Sequence, residues 1–126
     1  MRMVAMADAA RLAARARTPE QLALMDRLVS EMEAEPADAP VTPRFDIWDI
    51  IVEASGNLAY RLTFNSQMEV VRRLPVDVLL VLSAGARMVP EYRQLVQAID
   101  RRDADRAADA TRAILGAIVI TLDGRL

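Results

Sequence analysis

Apolar residues recur every three or four positions along most of the chain, which is the spacing of one face of an α-helix. Within residues 2–16, the side chains of Val4, Ala5, Leu12 and Ala16 fall on or near one such stripe. The spacing therefore predicts a first helix over residues 2–16, with these four side chains turned towards the protein interior.

A second helix start follows at Thr18, where a hydroxyl side chain precedes Pro19. Proline suits the first helical position, because the N–H that it lacks would be unpaired there in any case. Gln21 stands where a capping box needs an amide or carboxylate. The helix is predicted to end near Glu35. Its inward-facing side chains are predicted to be Leu22, Met25, Leu28, Val29 and Met32.

Residues 36–41 contain two prolines and predict a loop. Thr42 and Pro43 then repeat the arrangement of an N-cap followed by proline, and so predict the start of a third helix. This helix is rich in large apolar residues. It is predicted to end at Gly56, because glycine readily adopts the left-handed conformation that closes many helices.

Asn57 follows as the predicted N-cap of a fourth helix, which extends to about Arg73. Apolar and polar residues alternate less clearly here than in the earlier helices. The inner stripe of this helix is predicted to consist of Leu58, Arg61 or Leu62, Asn65 and Met68, with Phe64 close by.

Pro75 begins a predicted fifth helix, in which residues 76–82 are almost entirely apolar. A sixth helix begins around Pro90, and Asp103 caps a seventh that reaches Leu122. Helices joined by short connections predict an all-α fold, an antiparallel bundle of about six to seven helices.

The length of 126 residues is enough for one hydrophobic core, so residues 1–126 are predicted to form a single domain. Two apolar stretches, residues 76–82 and 115–122, fit either the centre of the bundle or a face that meets a second subunit. The pattern alone leaves both explanations open.

Composition narrows the functions that this bundle can have. Hydrophobic residues make up 53% and charged residues 27% of the chain, which suits amphipathic helices. The net charge of −2 gives no basic field that would attract nucleic acid or an anionic membrane. No targeting signal or membrane span is evident in the sequence, which predicts a cytoplasmic protein without a membrane partner.

The chain contains no cysteine and no histidine. It therefore lacks the thiol nucleophile, the most common general base at neutral pH and the most common ligand for transition metals. The sequence predicts that the protein is not an enzyme and that it needs no cofactor.

Several segments of the chain carry a family resemblance. The stretch 47–57, which ends in Ala54-Ser55-Gly56-Asn57, resembles the FCD domain, the effector-binding half of FadR-type GntR transcription regulators. The continuation 57–65 is similar to the acyl-CoA-responsive branch of that family in the spacing of Tyr60, Leu62 and Asn65. Residues 98–107 resemble the junction that precedes the last helix of the domain. The resemblance extends over nearly the whole chain.

Many FCD domains bind a divalent metal through aspartate and histidine side chains. When the chain is aligned with that pattern, residues other than aspartate and histidine occupy most of the ligand positions. They are Arg44, Trp48, a residue near Asp77, Tyr92 and Ile114. Arginine and isoleucine cannot bind a cation, so the resemblance implies a variant without a metal site.

The resemblance also implies an effector pocket, although each of its residues has a structural alternative. Trp48 and Tyr92 either line a cavity or plug the space left by the metal. Arg44 and Arg61 either hold a carboxylate or lie at the surface, and Asn65 bonds either an effector or the backbone. The predicted effector-binding residues are Arg44, Trp48, Tyr60, Arg61, Phe64, Asn65, Tyr92 and Ile114.

The expected function is a ligand-sensing and dimerisation domain. Its partners would be a small apolar effector, such as a fatty acid or an acyl-CoA, and a second copy of the chain. Operator DNA would be bound only by a winged helix-turn-helix domain that these residues do not include. The alternative is a degenerate dimerisation module with a closed cavity. A sealed core around Trp48 favours the module, and a cavity on the order of several hundred Å3 favours the sensor.

Overall fold

The computed structural model describes the backbone of residues 2–39, 44–78 and 87–123, and the side chains of residues 4–39, 44–78 and 87–117. Within these ranges the chain forms an all-α bundle without strands, as predicted. Its helices are α1 (Arg2–Ala16), α2 (Pro19–Ala34), α3 (Phe45–Ser55), α4 (Leu58–Val71), α5 (Val89–Asp100) and α6 (Ala104–Asp123).

The start of α2 is the capping box that the sequence predicts. The Thr18 hydroxyl accepts the backbone N–H of Gln21 at 3.1 Å, and the Gln21 side chain accepts the backbone N–H of Thr18 at 2.9 Å. Pro19 occupies the first helical turn. Two backbone donors that would otherwise be unpaired are thereby satisfied locally, which fixes where α2 begins.

The start of α3 differs from its prediction. Thr42 and Pro43 lie outside the described residues, and α3 begins at Phe45 with Arg44 at its N-cap. The Arg44 side chain makes no capping hydrogen bond, since a guanidinium has no acceptor to offer a backbone N–H. The predicted end is confirmed, because Gly56 adopts the left-handed conformation with φ of 66°.

Predicted caps also hold at α4 and α6. The Asn57 side chain accepts the backbone N–H of Tyr60 at 3.1 Å, and the Asp103 carboxylate accepts that of Arg106 at 3.2 Å. Pro90 lies in the first turn of α5. Of the predicted fifth helix, only a helical turn at residues 76–78 belongs to the described part of the chain.

Helix α1 lies at the centre of the bundle. It packs most extensively against α6 and α3, and it also contacts α5 and α4. Its buried face is made largely of alanine, which lets neighbouring helices approach closely. The buried side chains of α1 are Met6, Ala7, Ala9, Ala10, Ala13 and Ala14. The predicted inner stripe of α1 was wrong for Val4 and Ala16, which are exposed, whereas Ala5 and Leu12 are partly buried. Alanines on several faces make the helical phase of this segment ambiguous.

Arg93 on α5 forms ion pairs and a hydrogen bond with side chains of α2. Arg93 contacts Asp26 at 2.5 Å and Glu33 at 2.6 Å, and it donates to the Ser30 hydroxyl at 3.1 Å. The hydrogen bonds with Glu33 and Asp26 raise the pKa of Arg93, and the same contact with Arg93 lowers the pKa of Glu33. Of the α2 residues predicted to face inward, Met25, Val29 and Met32 are buried, and Leu22 and Leu28 are partly buried against the core.

Helix α4 lies at the edge of the bundle, where it contacts α3 and, less closely, α1. Phe64 faces the core, and Tyr60 and Met68 pack against it in part. The predicted inner stripe was therefore wrong for Leu58, Leu62 and Asn65, all of which are exposed. The pattern misled because α4 carries large apolar residues on both of its faces. None of the described helices is long and apolar enough to cross a membrane.

Candidate functional site

Two aromatic side chains meet at the junction of α3 and α5. The Trp48 indole N–H donates to the Tyr92 hydroxyl oxygen at 3.2 Å, and the ring centroids lie 5.9 Å apart with planes tilted by 58°. Trp48 is 5% exposed and Tyr92 is 3% exposed. A tilted pair at this distance is a favourable aromatic arrangement, and the hydrogen bond satisfies the buried indole N–H.

The surroundings of this aromatic pair are aliphatic. Ile47 and Ile51 on α3, Leu95 and Ile99 on α5, and Ile114 on α6 belong to the same core and are fully buried. The predicted site residue Ile114 is thus a core residue, in the hydrophobic cluster that contains Trp48 and Tyr92.

Polar side chains are scarce in the described part of this core. Only Ser55 and Thr111 are buried there. The Ser55 hydroxyl donates to the backbone oxygen of Val52 at 2.5 Å, and the Thr111 hydroxyl donates to that of Ala107 at 2.9 Å. Both hydroxyls therefore use their donors within their own helices. Neither donor is available to a buried ligand unless the hydroxyl rotates away.

Arg44 lies between the end of α2 and the start of α3, with its side chain 15% exposed. One guanidinium nitrogen donates to the backbone oxygen of Leu28 at 3.3 Å. Its carboxylate neighbours are distant, with Asp46 at 3.7 Å and Glu35 at 3.9 Å. The Nε of Arg44 is buried and has no hydrogen-bond partner among the described residues. Arg44 thus retains donor capacity that its neighbours use only in part.

Arg61 has a different environment on α4. Its guanidinium contacts Asp49 at 2.6 Å and Glu53 at 2.8 Å, and it also donates to the Asn65 side chain at 3.3 Å. Burial alone would lower the pKa of Arg61, but the hydrogen bonds that its guanidinium donates to both carboxylates outweigh this effect, and the pKa is raised. This predicted site residue is neutralised within its own chain, and its partner Asn65 is exposed.

Tyr60 and Phe64 lie on the inner side of α4, facing α1. The Tyr60 hydroxyl donates to the Asp8 carboxylate, and this hydrogen bond is the main reason why the pKa of Tyr60 is raised. Tyr60 and Phe64 line a cavity of about 20 Å3 together with Met6 and Gln67. A space of that size holds about one water molecule and no organic effector.

The eight predicted site residues therefore do not form one pocket among the described residues. Trp48, Tyr92 and Ile114 are buried in the core, Arg44 lies near the surface between α2 and α3, and the α4 residues form separate contacts. No described groove is lined by Trp48 or Tyr92. Because Trp48 and Tyr92 are both buried and in contact with each other, we call this arrangement the closed conformation of the aromatic pair.

Larger grooves lie elsewhere in the described part of the chain, and they were not predicted from the sequence. One groove of about 570 Å3 runs between α5 and α6, and polar and charged side chains form much of its wall. Alanines at Ala98, Ala110 and Ala113 leave room for it. Small residues at facing positions of two adjacent helices are the sequence signal that could have indicated this groove. A second groove of about 320 Å3 lies between α2 and α5.

The donors for a metal do not converge in the described part of the chain, where no three acidic, histidine or cysteine side chains are close enough to share an ion. Asp77, near one of the aligned ligand positions, is exposed.

Comparison with known proteins identifies one relationship. The sequence model of the FCD domain matches residues 1–117 of the chain. No curated protein and no solved structure matches the chain.

Proposed function

Since the chain belongs to the FCD domain family, the effector-binding C-terminal domains of GntR-type transcription regulators, we propose that it senses a small apolar effector. A fatty acid or an acyl-CoA is the expected chemical class. Binding changes how two copies of the domain sit against each other, and this change alters operator binding by winged helix-turn-helix domains. The domain needs no metal for this role.

The contact between Trp48 and Tyr92 is the observation that supports this proposal. The two residues are far apart in sequence, and the family resemblance aligns each of them with a metal-ligand position. They meet at 3.2 Å. An indole and a phenol ring at the centre provide apolar walls and no set of metal donors, so the effector they favour is one with a large apolar part.

The chemistry of the core supports the same class of effector. A citrate-like acid would bring several carboxylates into the core, and each would need a cationic or hydroxyl partner because an unpaired buried charge is costly, whereas a fatty acid brings one. The two buried hydroxyls in the described core, Ser55 and Thr111, donate to their own helices. Methionines Met25 and Met32 line the α2 side of this core, and flexible methionine side chains adapt to apolar ligands of varied shape.

Arg44 is the residue that we propose for the head group. It precedes Trp48 by one helical turn, and its guanidinium has donors that its present neighbours do not use. A carboxylate or thioester oxygen held there would leave the acyl chain directed towards the aromatic pair. Arg61 is left out of the proposed site, because Asp49 and Glu53 already neutralise it.

The closed aromatic pair defines the conformational change. An effector can bind beside Trp48 only when the pair separates, so it selects an open conformation over the closed one. Whatever difference in affinity exists between the two conformations is the free energy available to move the second subunit. The core therefore acts as a two-state element, with the hydrogen bond from Trp48 to Tyr92 holding the closed state.

Trp48 is the only tryptophan of the chain, and its fluorescence therefore reports on this centre alone. We expect a saturable change in its emission, with a rise in Tm, on titration with a medium- or long-chain fatty acid or its CoA thioester. Citrate should change neither. A protein that responds to citrate and to no acyl compound would overturn the proposal.

Two arginine variants provide a matched test of the head-group position. Arg44→Met is expected to raise the Kd of the fatty acid by about tenfold or more, because a charge-assisted hydrogen bond is lost. Arg61→Met makes the same change on α4 and is expected to leave the Kd unchanged. Equal effects of the two variants would exclude Arg44 as the head-group ligand.

The alternative function is a dimerisation module with no effector. The closed packing of Trp48 on Tyr92 favours it, since no described groove reaches the pair. If the protein dimerises and no acyl compound alters the emission of Trp48 or the Tm, the module is the correct description.

A further inference from the structure

The outward side of α4 carries a stripe of apolar and small residues. Leu58, Leu62, Ser66 and Val70 follow one another at intervals of four, which places them on one side of the helix. We call this stripe the outer α4 face. Leu58 is 71%, Leu62 57% and Val70 62% exposed, whereas Phe64 on the opposite side is buried.

Exposed apolar side chains are concentrated in this region. Seven large apolar side chains are exposed in the described part of the chain, and five of them lie between residues 58 and 78. They are Leu58, Leu62, Val70, Val76 and Val78. Single exposed leucines are ordinary, but several on one helix side are typical of a binding surface.

We propose that the outer α4 face binds the same face of a second copy of the chain, with the two α4 helices antiparallel about a two-fold axis. An axis midway between Leu62 and Ser66 places Leu62 opposite the partner's Ser66, so that a large side chain meets a small one. The same axis places Leu58 opposite the partner's Val70, so that two aliphatic side chains meet. A symmetric interface requires self-complementarity of this kind.

Charge supports the same register. Near the start of α4, the carboxylates of Asp49 and Glu53 surround the single guanidinium of Arg61, which leaves one net negative charge. Within residues 69–73 at the end of α4, the guanidinium groups of Arg72 and Arg73 outnumber the carboxylate of Glu69, which leaves one net positive charge in that stretch. Antiparallel pairing brings the positive end of each copy to the negative end of the other.

A shallow groove also fits this arrangement. Leu58, Glu53 and Arg61 line a groove of about 210 Å3 at the start of α4, next to Gly56. In the antiparallel pair, the partner's Val70 lies opposite Leu58 and enters this groove. The same groove brings Glu53 within reach of the positive end of the partner's α4.

This inference rests on the proposed dimeric state and is independent of the effector. The first test uses the absence of cysteine from the chain. A mixture of Leu62→Cys and Ser66→Cys proteins is oxidised and examined on a non-reducing gel. The expected product is a disulfide-linked dimer that forms faster in the mixture than in either protein alone.

Leu24 on α2 provides the control, because it is also an exposed leucine. A mixture of Leu24→Cys and Ser66→Cys proteins should form linked dimer no faster than the Ser66→Cys protein does alone at the same concentration. Linkage that is equally fast in both mixtures would reflect random collision and would overturn the proposed register.

The second test measures the dimer directly by sedimentation equilibrium. Leu62→Glu is expected to raise the dissociation constant of the dimer by about tenfold or more, since a carboxylate then lies in the apolar centre of the interface. Leu24→Glu should leave the dissociation constant unchanged, and circular dichroism should show both variants folded.

The outcomes separate this inference from the proposed function. A dimer that Leu62→Glu leaves unchanged would place the interface elsewhere and would overturn the inference without affecting the effector proposal. A protein that stays monomeric would overturn the inference and the dimeric part of the proposal, while the fluorescence titration of Trp48 still decides effector binding.

Discussion

The aromatic pair Trp48 and Tyr92 and the polar pair Arg61 and Asn65 on α4 have similar apolar neighbours in the sequence but different environments in the fold. Trp48 and Tyr92 are polar-tipped side chains among aliphatic ones, and so are Arg61 and Asn65. Trp48 and Tyr92 are buried and form a hydrogen bond between two helices, whereas Arg61 lies at the surface and forms ion pairs with two carboxylates.

The difference arises from the position of the helix that carries each pair. Helix α3 packs on α1, α2 and α4, and α5 packs on α1, α2 and α6, so side chains at their junction are enclosed. Among the described helices, α4 packs chiefly against α3 and α1, and the outer α4 face stays exposed. A polar side chain on an enclosed helix stabilises one packed conformation, and a polar side chain on an edge helix mainly pairs with its neighbours.

The largest expected loss of stability tests whether the aromatic pair is more tightly packed than the outer α4 face. Trp48→Ala should lower the free energy of unfolding by about 3–5 kcal/mol, because a large buried ring leaves a cavity. Chemical denaturation followed by circular dichroism measures the loss. Leu62→Ala on the outer α4 face is the control and should cost far less. Equal losses would mean that the two regions do not differ in packing.

Tyr92→Phe removes only the hydroxyl oxygen from the aromatic pair. We expect a loss of about 1–3 kcal/mol in the free energy of unfolding, because the buried indole N–H of Trp48 is left without its acceptor. The emission of Trp48 should also change in the unliganded protein. An unchanged stability would show that the indole N–H has another acceptor and that the hydrogen bond does not hold the closed state.

Arg61→Met should have a smaller effect than either change in the aromatic centre. The Arg61 side chain is 21% exposed, and solvent reduces the value of such ion pairs to about 0.5–1 kcal/mol. Methionine keeps most of the aliphatic stem, so the loss reports on charge. Repeating the denaturation at high salt should narrow the difference between the two proteins, and a difference that salt does not alter would contradict the assignment.

The smallest expected effect appears only in alkaline solution. The hydrogen bond to Asp8 raises the pKa of Tyr60 above its usual value, so the folded protein holds the phenol proton more tightly than the unfolded chain does. The resulting stability is present below about pH 10 and is lost as the pH rises further. Tyr60→Phe should therefore lose stability less steeply than the unsubstituted protein above pH 10, as thermal unfolding at several pH values would measure. Identical slopes would contradict the contact.

Local features of the fold were predictable because their causes lie within a few residues. The capping box of Thr18 and Gln21 and the left-handed Gly56 depend on neighbouring backbone groups. The core of α2 was predictable for a related reason, since its large apolar residues occupy a single face. In α1 and α4 the apolar residues lie on more than one face, and there the prediction of the buried side failed.

The amino-acid sequence by itself determined the all-α class, most helix ends and the FCD family, because helix periodicity and capping are local and family motifs are linear. Only the tertiary structure decided which candidates meet. In the folded chain Trp48 forms a hydrogen bond with Tyr92, and Ile114 is buried in the core. Arg61 forms ion pairs with Asp49 and Glu53, and the outer α4 face remains exposed. Those outcomes depend on which helices lie next to one another, and that arrangement results from packing distant segments around α1.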